Sequence, residues 1–335
     1  MRIAVTGSIA TDHLMTFPGR FAESLIADKL DKVSLSFLVE DLELRRGGVA
    51  ANISFGLAAL GVRPVLVGAV GADFADYRAW LEGAGVDCSS VHVSPHRHTA
   101  RFVCTTDADH NQIASFYPGA MSEASAIELR PIAERLGGLD LVAIGANDPA
   151  AMLRHTEECR ARGYAFAADP SQQLARMAGP EIRDLLDGAT YLFTNEYEAA
   201  LVEQKTGWSG ADILARVGTR VTTHGAGGVL VESRDAAPVH VAAASTQRQA
   251  DPTGVGDGFR AGYLAAVGWG LGPQRAAQVG ALLATYVLET VGTQEYQLRG
   301  EDFARRLAAA YGEAAAAEVA GLVPAASPAP AAGPH

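Results

Sequence analysis

The run Asp251-Pro-Thr-Gly-Val-Gly-Asp-Gly-Phe-Arg-Ala-Gly262 places Gly254, Gly256, Gly258 and the carboxylate of Asp257 at the start of a long helical pattern. Glycine lets the backbone turn sharply and present its N–H groups. The first N–H groups of a helix lack partners, so together they form a site for a phosphate or a developing anion. A carboxylate in that turn would repel a phosphate. Asp257 makes sense there facing a hydroxyl, whose proton it takes as the oxygen attacks. The plain alternative is a glycine-rich turn whose Asp helps cap the helix. Phe259 stands where GxGxxG needs its last glycine, so the dinucleotide fingerprint fails.

Other residues offer weaker chemistry. Asp12 follows the first apolar run, at the end where a parallel sheet opens its ligand crevice. One carboxylate can accept from two vicinal hydroxyls, although taken alone a helix cap or a surface residue is the simpler reading. Gly48 allows close backbone approach, and Gly47-Gly48 can hinge a lid. Asn52 is a second candidate for holding such hydroxyls, with Ser8 and Ser36 as smaller contacts. Phe102 and Phe116 fall on two strands of an expected hairpin, where they either cover a flat base or simply pack. Asn195 and Glu198 are spaced to cap a helix. His96 and His98 have no third ligand in view and read as a solvated loop. Neither GxSxG nor HExxH occurs.

The elements that must position these residues alternate. Apolar runs at 3–6, 65–70, 139–144, 165–168, 191–194 and 220–223 read as buried strands. Helical patterns separate them; in one, Val49, Ile53, Leu57 and Leu60 share a face and Gly61 closes the helix. Such alternation predicts an α/β fold of three layers, a mostly parallel central sheet with helices on both faces. Two stretches break the rhythm. Residues 33–39 start with strict alternation, and 101–106 with 112–117 flank a turn-rich segment. They predict a small β-sheet lid, from about 13–46 and 97–119, although an ordinary sheet edge reads the same. Residues 254–288 are nearly all helical with a break near 268–272, and a last helix is expected near 301–322. The folded domain is expected to span 1–323, and the Ala/Pro-rich tail 324–335 to lie outside it.

Composition excludes several classes. The 335 residues carry a formal charge of −11, against a nucleic-acid partner, which wants a basic face. The lysines are Lys29, Lys32 and Lys205; none follows a glycine, so the GxxxxGK phosphate loop is absent. Cys88, Cys104 and Cys159 form neither a disulfide framework nor a CxxC site, which suits a reducing, cytoplasmic setting. No signal-like segment or uninterrupted apolar run of membrane-spanning length is seen, so no membrane partner is expected.

The 251–262 run closely resembles the second signature of the ribokinase-like (PfkB) carbohydrate and nucleoside kinases, Asp-Thr-x-Gly-Ala-Gly-Asp-x-Phe, with Pro252 and Val255 as departures. The first signature is matched by Gly47-Gly-Val-Ala-Ala-Asn52 and Gly68-Ala-Val-Gly-Ala-Asp73. Asn195-Glu-Tyr-Glu198 matches Asn-x-x-Glu, and Thr223-His-Gly225-Ala-Gly-Gly228 matches Thr-x-Gly-x-x-Gly, with Gly227 where a lysine is common. The stretches around Ser8–Asp12, Gly145–Pro149, Asp169–Arg176 and Gly292–Tyr296 look like the actinobacterial adenosine kinases.

The resemblance implies an adenosine kinase that moves the γ-phosphoryl of ATP onto the ribose 5′-hydroxyl, in purine salvage. It gives Asp257 the role of base and Gly254, Val255 and Gly256 that of the anion hole. Asn195, Thr223, Gly225, Gly228 and Gly256 bind ATP, and Glu198 organises Mg²⁺ through its waters, while helix capping stays compatible. Gln172, Gln173 and Arg176 lie near substrate and phosphates, or on the surface. K⁺ is implied as an activator near Asp251 and 290–292. A homodimer through the lid strands is implied by the nearest relatives. The alternatives are a sugar kinase acting on ribose or another pentose, and a non-catalytic nucleoside-binding regulator.

Overall fold

The computed structural model describes residues 1–24 and 35–327. Their strands are, in chain order, β1 (Ile3–Thr6), β2 (Ala10–Thr16), β3 (Asp41–Gly47), β4 (Val65–Val67), β5 (Ala69–Gly71), β6 (His92–Ser94), β7 (Ala100–Thr106), β8 (Gln112–Tyr117), β9 (Leu141–Ile144), β10 (Phe166–Ala168), β11 (Tyr191–Asn195), β12 (Thr219–Thr223), β13 (Val229–Ser233) and β14 (Ala236–Val241). The central sheet runs β14-β13-β12-β11-β10-β9-β1-β4. From β4 to β12 every pairing is parallel, and β13 and β14 add antiparallel strands at one edge.

Alternation along each strand builds the three layers. Ile3, Val5, Leu141, Ala143, Ala167 and Phe193 join one buried cluster, while their neighbours Ala4, Val142, Ile144, Phe166 and Leu192 join the other. Helices cover both sides. The first cluster packs against α1 (Val49–Ala59), α3 (Val255–Gly268) and α4 (Pro273–Leu288). The second includes Val202 of α2 (Glu196–Thr206).

Four strands stand apart as the lid, in the order β3-β2-β7-β8. Its register places Arg45, Asp12, Phe102 and Phe116 in one row across all four strands, hence on one face. The alternate positions Leu42, Leu44, Ile113 and Tyr117 lie on the other face and are exposed.

Several sequence expectations are corrected. Asp12, expected just before the lid at the end of the first strand, lies within β2, a lid strand. The alternating strand at 33–39 is not found over 35–39, and 33 and 34 lie outside the described residues. Phe37 instead joins an aromatic cluster, with its ring 4.9 Å from both Phe17 and Phe21. The strand comes later, as β3. The run 65–70 splits into β4 and β5. The last helix is two, Gly300–Tyr311 and Glu313–Val319, parted at Gly312 with φ +89°. The tail stays on the fold as far as Ser327: Ser327 N–H donates to Leu298 O at 2.9 Å, and Gly300 N–H to Ala325 O at 3.3 Å. Residues 328–335 of the tail lie outside the described residues.

Candidate functional site

The carboxyl ends of β1, β9, β10, β11 and β12 open on one side of the sheet, and the chemistry-bearing residues gather there. Gly254 caps α3 with φ +74°, and a Cβ there would meet Thr293 at 2.8 Å. Only glycine meets both demands without strain. The first α3 hydrogen bond of i→i−4 type runs from Gly258 N–H to Gly254 O; the N–H groups of Gly256 and Asp257 take no backbone acceptor among the described residues. This is the free donor pair that an anion hole requires.

Asp257 follows on the first turn of α3. Protein surrounds its carboxyl although part of its surface meets the cleft. Burial raises its pKa to about 6, against the opposing pull of Arg260 and the Asn52 hydrogen bond. Asn52 Nδ2 donates to Asp257 Oδ2 at 2.8 Å. Asn52 is itself held, its Oδ1 accepting from Thr293 Oγ1 (2.8 Å) and Gln294 Nε2 (2.9 Å). Gln294 Nε2 also donates to Tyr77 OH (2.6 Å), which donates to Gly47 O (2.9 Å). A chain of hydrogen bonds therefore joins the carboxyl of Asp257 to the lid's Gly47-Gly48 junction. Gly48 has φ +96°, and a Cβ there would lie 2.6–2.7 Å from the backbone at Ser8, Ile9 and Ala10.

Arg260, three residues after Asp257, is the main residue that sequence reading left without a role. It is buried, pairs with Asp169 at 2.6 Å and lies 3.9 Å from Glu198. Its Nη2 also donates to Ser171 Oγ, which donates to Asp169. A single charge on the apolar face of α3 was the available signal. Glu198 and Asn195 close a capping box: Asn195 N–H donates to Glu198 Oε2 and Glu198 N–H to Asn195 Oδ1, both at 2.8 Å. Glu198 Oε1 has no hydrogen bond among the described residues. Burial raises the pKa of Glu198.

Beside this cluster lies a cavity of about 1050 Å³. Asn195, Glu198, Thr223, Gly225, Gly228 and Gly256 line it, as does Arg260. Its far wall is apolar, with Leu201, Val229, Ala244 and Leu288. The size and polarity suit a nucleotide with its phosphates toward α3.

The other expected residues divide. Gln172 lines the cavity, whereas Gln173 is buried and Arg176 is exposed with no ion pair among the described residues. Ser8 is occupied as a structural cap, its Oγ accepting from Val49 N–H at 3.0 Å. Ser36 is exposed in an irregular segment and has no hydrogen bond into the site among the described residues. Asp12 lies under Gly47, where a Cβ would be 3.2 Å from its Oδ2; burial raises its pKa and Arg45 opposes this. Asp251 accepts from Gly292 N–H and from Arg45 Nη1, both at 3.1 Å, and from Thr253 N–H at 2.9 Å. Arg45 therefore shows that the lid face carrying Asp12, Phe102 and Phe116 is the one turned to the body. No group of three or more His, Cys, Asp or Glu able to hold a metal occurs among the described residues, and no helix there is long and apolar enough to cross a membrane.

Residues 7–299 match the pfkB family carbohydrate kinases. The chain is 30% identical over 273 residues to a nucleoside kinase of Methanothermobacter thermautotrophicus, covering 80% of this chain and 86% of that one. It is 26% identical over 298 residues to a nucleoside kinase of Methanocaldococcus jannaschii, covering 88% and 92%. Among solved structures, the nucleoside kinase of Burkholderia thailandensis in complex with inosine superposes with a TM-score of 0.81 at 33% identity, over 92% of this chain and 99% of that one. The same enzyme in complex with ADP-inosine gives 0.79 at 34% identity, over 92% and 96%. With the two signatures at the lid junction and at the start of α3, and this match across most of its length, the chain belongs to the PfkB family of carbohydrate kinases.

Proposed function

We propose that the protein is a nucleoside kinase that uses ATP to phosphorylate the ribose 5′-hydroxyl of adenosine, giving AMP and ADP and returning a free nucleoside to the nucleotide pool. The observation that carries this reading is the lid row: Asp12, suited to a ribose diol, stands in register with the aromatic pair Phe102 and Phe116 on the face turned to the body. Two aromatic rings beside the diol site offer a flat apolar surface that a purine covers more fully than a bare sugar. The Burkholderia enzyme's complex with inosine makes inosine the first alternative acceptor.

In this reading Asp257 accepts the 5′-hydroxyl proton as the oxygen attacks the γ-phosphorus. The bond from that phosphorus to the β,γ-bridging oxygen breaks, and ADP leaves. The N–H groups of Gly256 and Asp257 face the charge spreading over the transferred oxygens. Gly254 and Val255 set their direction. The cavity lined by Asn195, Thr223, Gly225 and Gly228 holds the nucleotide.

Asp257, Glu198 and Asp169 oppose one guanidinium, so a polyphosphate needs a cation here, and the donor set fits Mg²⁺. Glu198 Oε1 is free to hold its water shell. Bound Mg²⁺ would neutralise the β- and γ-phosphate oxygens. The site near Asp251 does not fit K⁺. The Asp251 carboxylate is already taken by Arg45 and two N–H groups. A second cation about 4 Å from that guanidinium is repelled by about 4 kcal/mol at an effective dielectric near 20. A lid-to-lid homodimer is part of the proposal. Its support is the exposed apolar face of Leu42, Leu44, Ile113 and Tyr117 on a sheet whose edges β3 and β8 are unpaired among the described residues. So is a cytoplasmic location, in keeping with three buried free thiols.

ADP release from Mg-ATP, compared among adenosine, inosine, guanosine, ribose and fructose, tests the reading. Turnover with adenosine at least tenfold above the sugars is expected. Turnover with a sugar alone would overturn the substrate, and binding of adenosine without turnover would favour a regulator.

A further inference from the structure

Arg45 is a lid residue that reaches into the body. It leaves β3 in register with Asp12 and places Nη1 3.1 Å from Asp251 Oδ2, while Nη2 rests on Glu43 of its own strand at 2.7 Å. Both partners of the long-range pair are largely shielded, with side-chain exposures of 25% and 13%. Asp251 is a junction. Its Oδ1 holds Thr253 N–H, and its Oδ2 holds Gly292 N–H as well as Arg45. Thr253 leads directly into Gly254 and the free N–H groups of α3. On the other side, Gly292 leads into Thr293, which packs on Gly254 and donates to Asn52 Oδ1, the partner of Asp257. One carboxylate therefore fixes both walls of the candidate anion hole, and the charge that completes its coordination comes from the lid.

We propose that the Arg45 guanidinium does the work of a monovalent cation at this junction, so that the 251–257 loop is fully ordered only when the lid is closed and turnover has no need of K⁺. Arg45 is a positioning residue: it acts through Asp251. The coupling has a chemical use. A lid that opens to admit the acceptor withdraws the charge, which loosens the anion hole while no acceptor is held and limits transfer of the phosphoryl group to water. The inference rests on the kinase reading for its effect on rate, but the latch itself is a property of the folded chain.

The test uses the full-length protein. ADP release with Mg-ATP and adenosine is measured in potassium, sodium and choline chloride at equal ionic strength, for wild type, Arg45→Gln and Arg45→Lys. Amide hydrogen exchange of residues 251–258 is followed in the same salts without substrates. Wild-type kcat is expected to agree among the salts to within about threefold. Arg45→Gln is expected to lose roughly 10–100-fold in kcat, as for a slightly misplaced catalytic group, with KM for adenosine nearly unchanged. Arg45→Lys should recover much of that loss. Exchange at 251–258 should quicken in Arg45→Gln and stay indifferent to K⁺ in wild type. Stimulation of wild type by K⁺ of more than threefold, or exchange that slows on adding K⁺, overturns the proposal. So does an Arg45→Gln protein with wild-type kcat. If Arg45→Gln does not fold, the salt comparison on wild type and the exchange of Arg45→Lys still decide. If no nucleoside is phosphorylated, the functional reading fails separately, and the exchange arms decide the latch alone.

Discussion

Arg260→Gln should move the acid limb of activity upward, and the size of the move follows from the site. Asp257 and Arg260 are three residues apart in α3, so they share a face of its first turns. Burial raises the Asp257 carboxyl to about 6, and the Arg260 charge is the largest influence holding it from going higher. At the roughly 6 Å typical of such helix neighbours, one charge pair at an effective dielectric near 20 is worth about 2.8 kcal/mol. That equals about 2 pKa units. Solvent at the open side of the cleft and relaxation of Asp169 and Glu198 reduce it, leaving about one to two units. The base works deprotonated, so kcat/KM of the wild type is lost as pH falls through about 6. In Arg260→Gln the same limb should lie between roughly 7 and 8. Absolute activity will also fall, because three carboxylates lose their counter-charge, so the position of the limb is the readout and not its height. Arg260→Lys keeps the charge and should leave the limb within about half a unit of wild type. The assay is kcat/KM for adenosine from pH 5 to 9.5 with saturating Mg-ATP, on protein shown to be folded. An acid limb still near 6 in folded Arg260→Gln would refute the argument, either because Arg260 does not set the Asp257 carboxyl or because Asp257 is not the titrating base.

Asp257→Asn should lower kcat by about 10²–10⁴-fold, the usual share of a general base, while calorimetry shows adenosine and ATP still binding. Phe102→Ala should raise KM for adenosine about tenfold with a much smaller effect on any sugar acceptor; equal effects would mean that the ring only packs the lid. Gly48→Ala must place a Cβ 2.6–2.7 Å from three backbone positions at φ +96°, so urea unfolding should show a loss of at least about 2 kcal/mol. Leu44→Glu sets a charge in the exposed lid face and should shift a dimer to monomer in sedimentation velocity; a wild type that is monomeric at every concentration would remove the lid interface.

The parts legible in the sequence were those whose chemistry is local. Gly254 to Asp257 declares itself because the free donors and the carboxylate come from consecutive residues, and Asn195 to Glu198 because a capping box has fixed spacing. The buried strands of the central sheet were legible for the same reason, as short apolar runs. The lid was harder. In β3, Leu42 and Leu44 alternate with charges, yet the more apolar segment just before it drew the strand assignment, while Phe37 there is spent on an aromatic cluster. β2 carries His13 and Asp12 on a sheet with two partly wet faces, so its alternation is weak. β13 and β14 are antiparallel additions that the strand–helix alternation does not announce. The long-range pairs were not legible at all. Arg45 and Asp251 are 206 positions apart and Asn52 and Asp257 are 205 apart, and no spacing rule connects either pair.

That division matches a division of labour. The body supplies what any phosphoryl transfer of this type needs: free N–H groups at α3, a buried base, a guanidinium among carboxylates, and a cavity for the nucleotide. In the proposed reading the lid supplies the residues that distinguish acceptors: Asp12 for the diol and Phe102 with Phe116 for what the sugar carries. Body and lid meet through the Arg45–Asp251 pair and the chain from Gly47 through Tyr77, Gln294 and Asn52 to Asp257. A change of acceptor should therefore require substitutions in the lid row alone. A change in rate at fixed acceptor should be reached from either end of those connecting contacts, because the base and the anion hole take their final positions from a lid that has accepted its substrate.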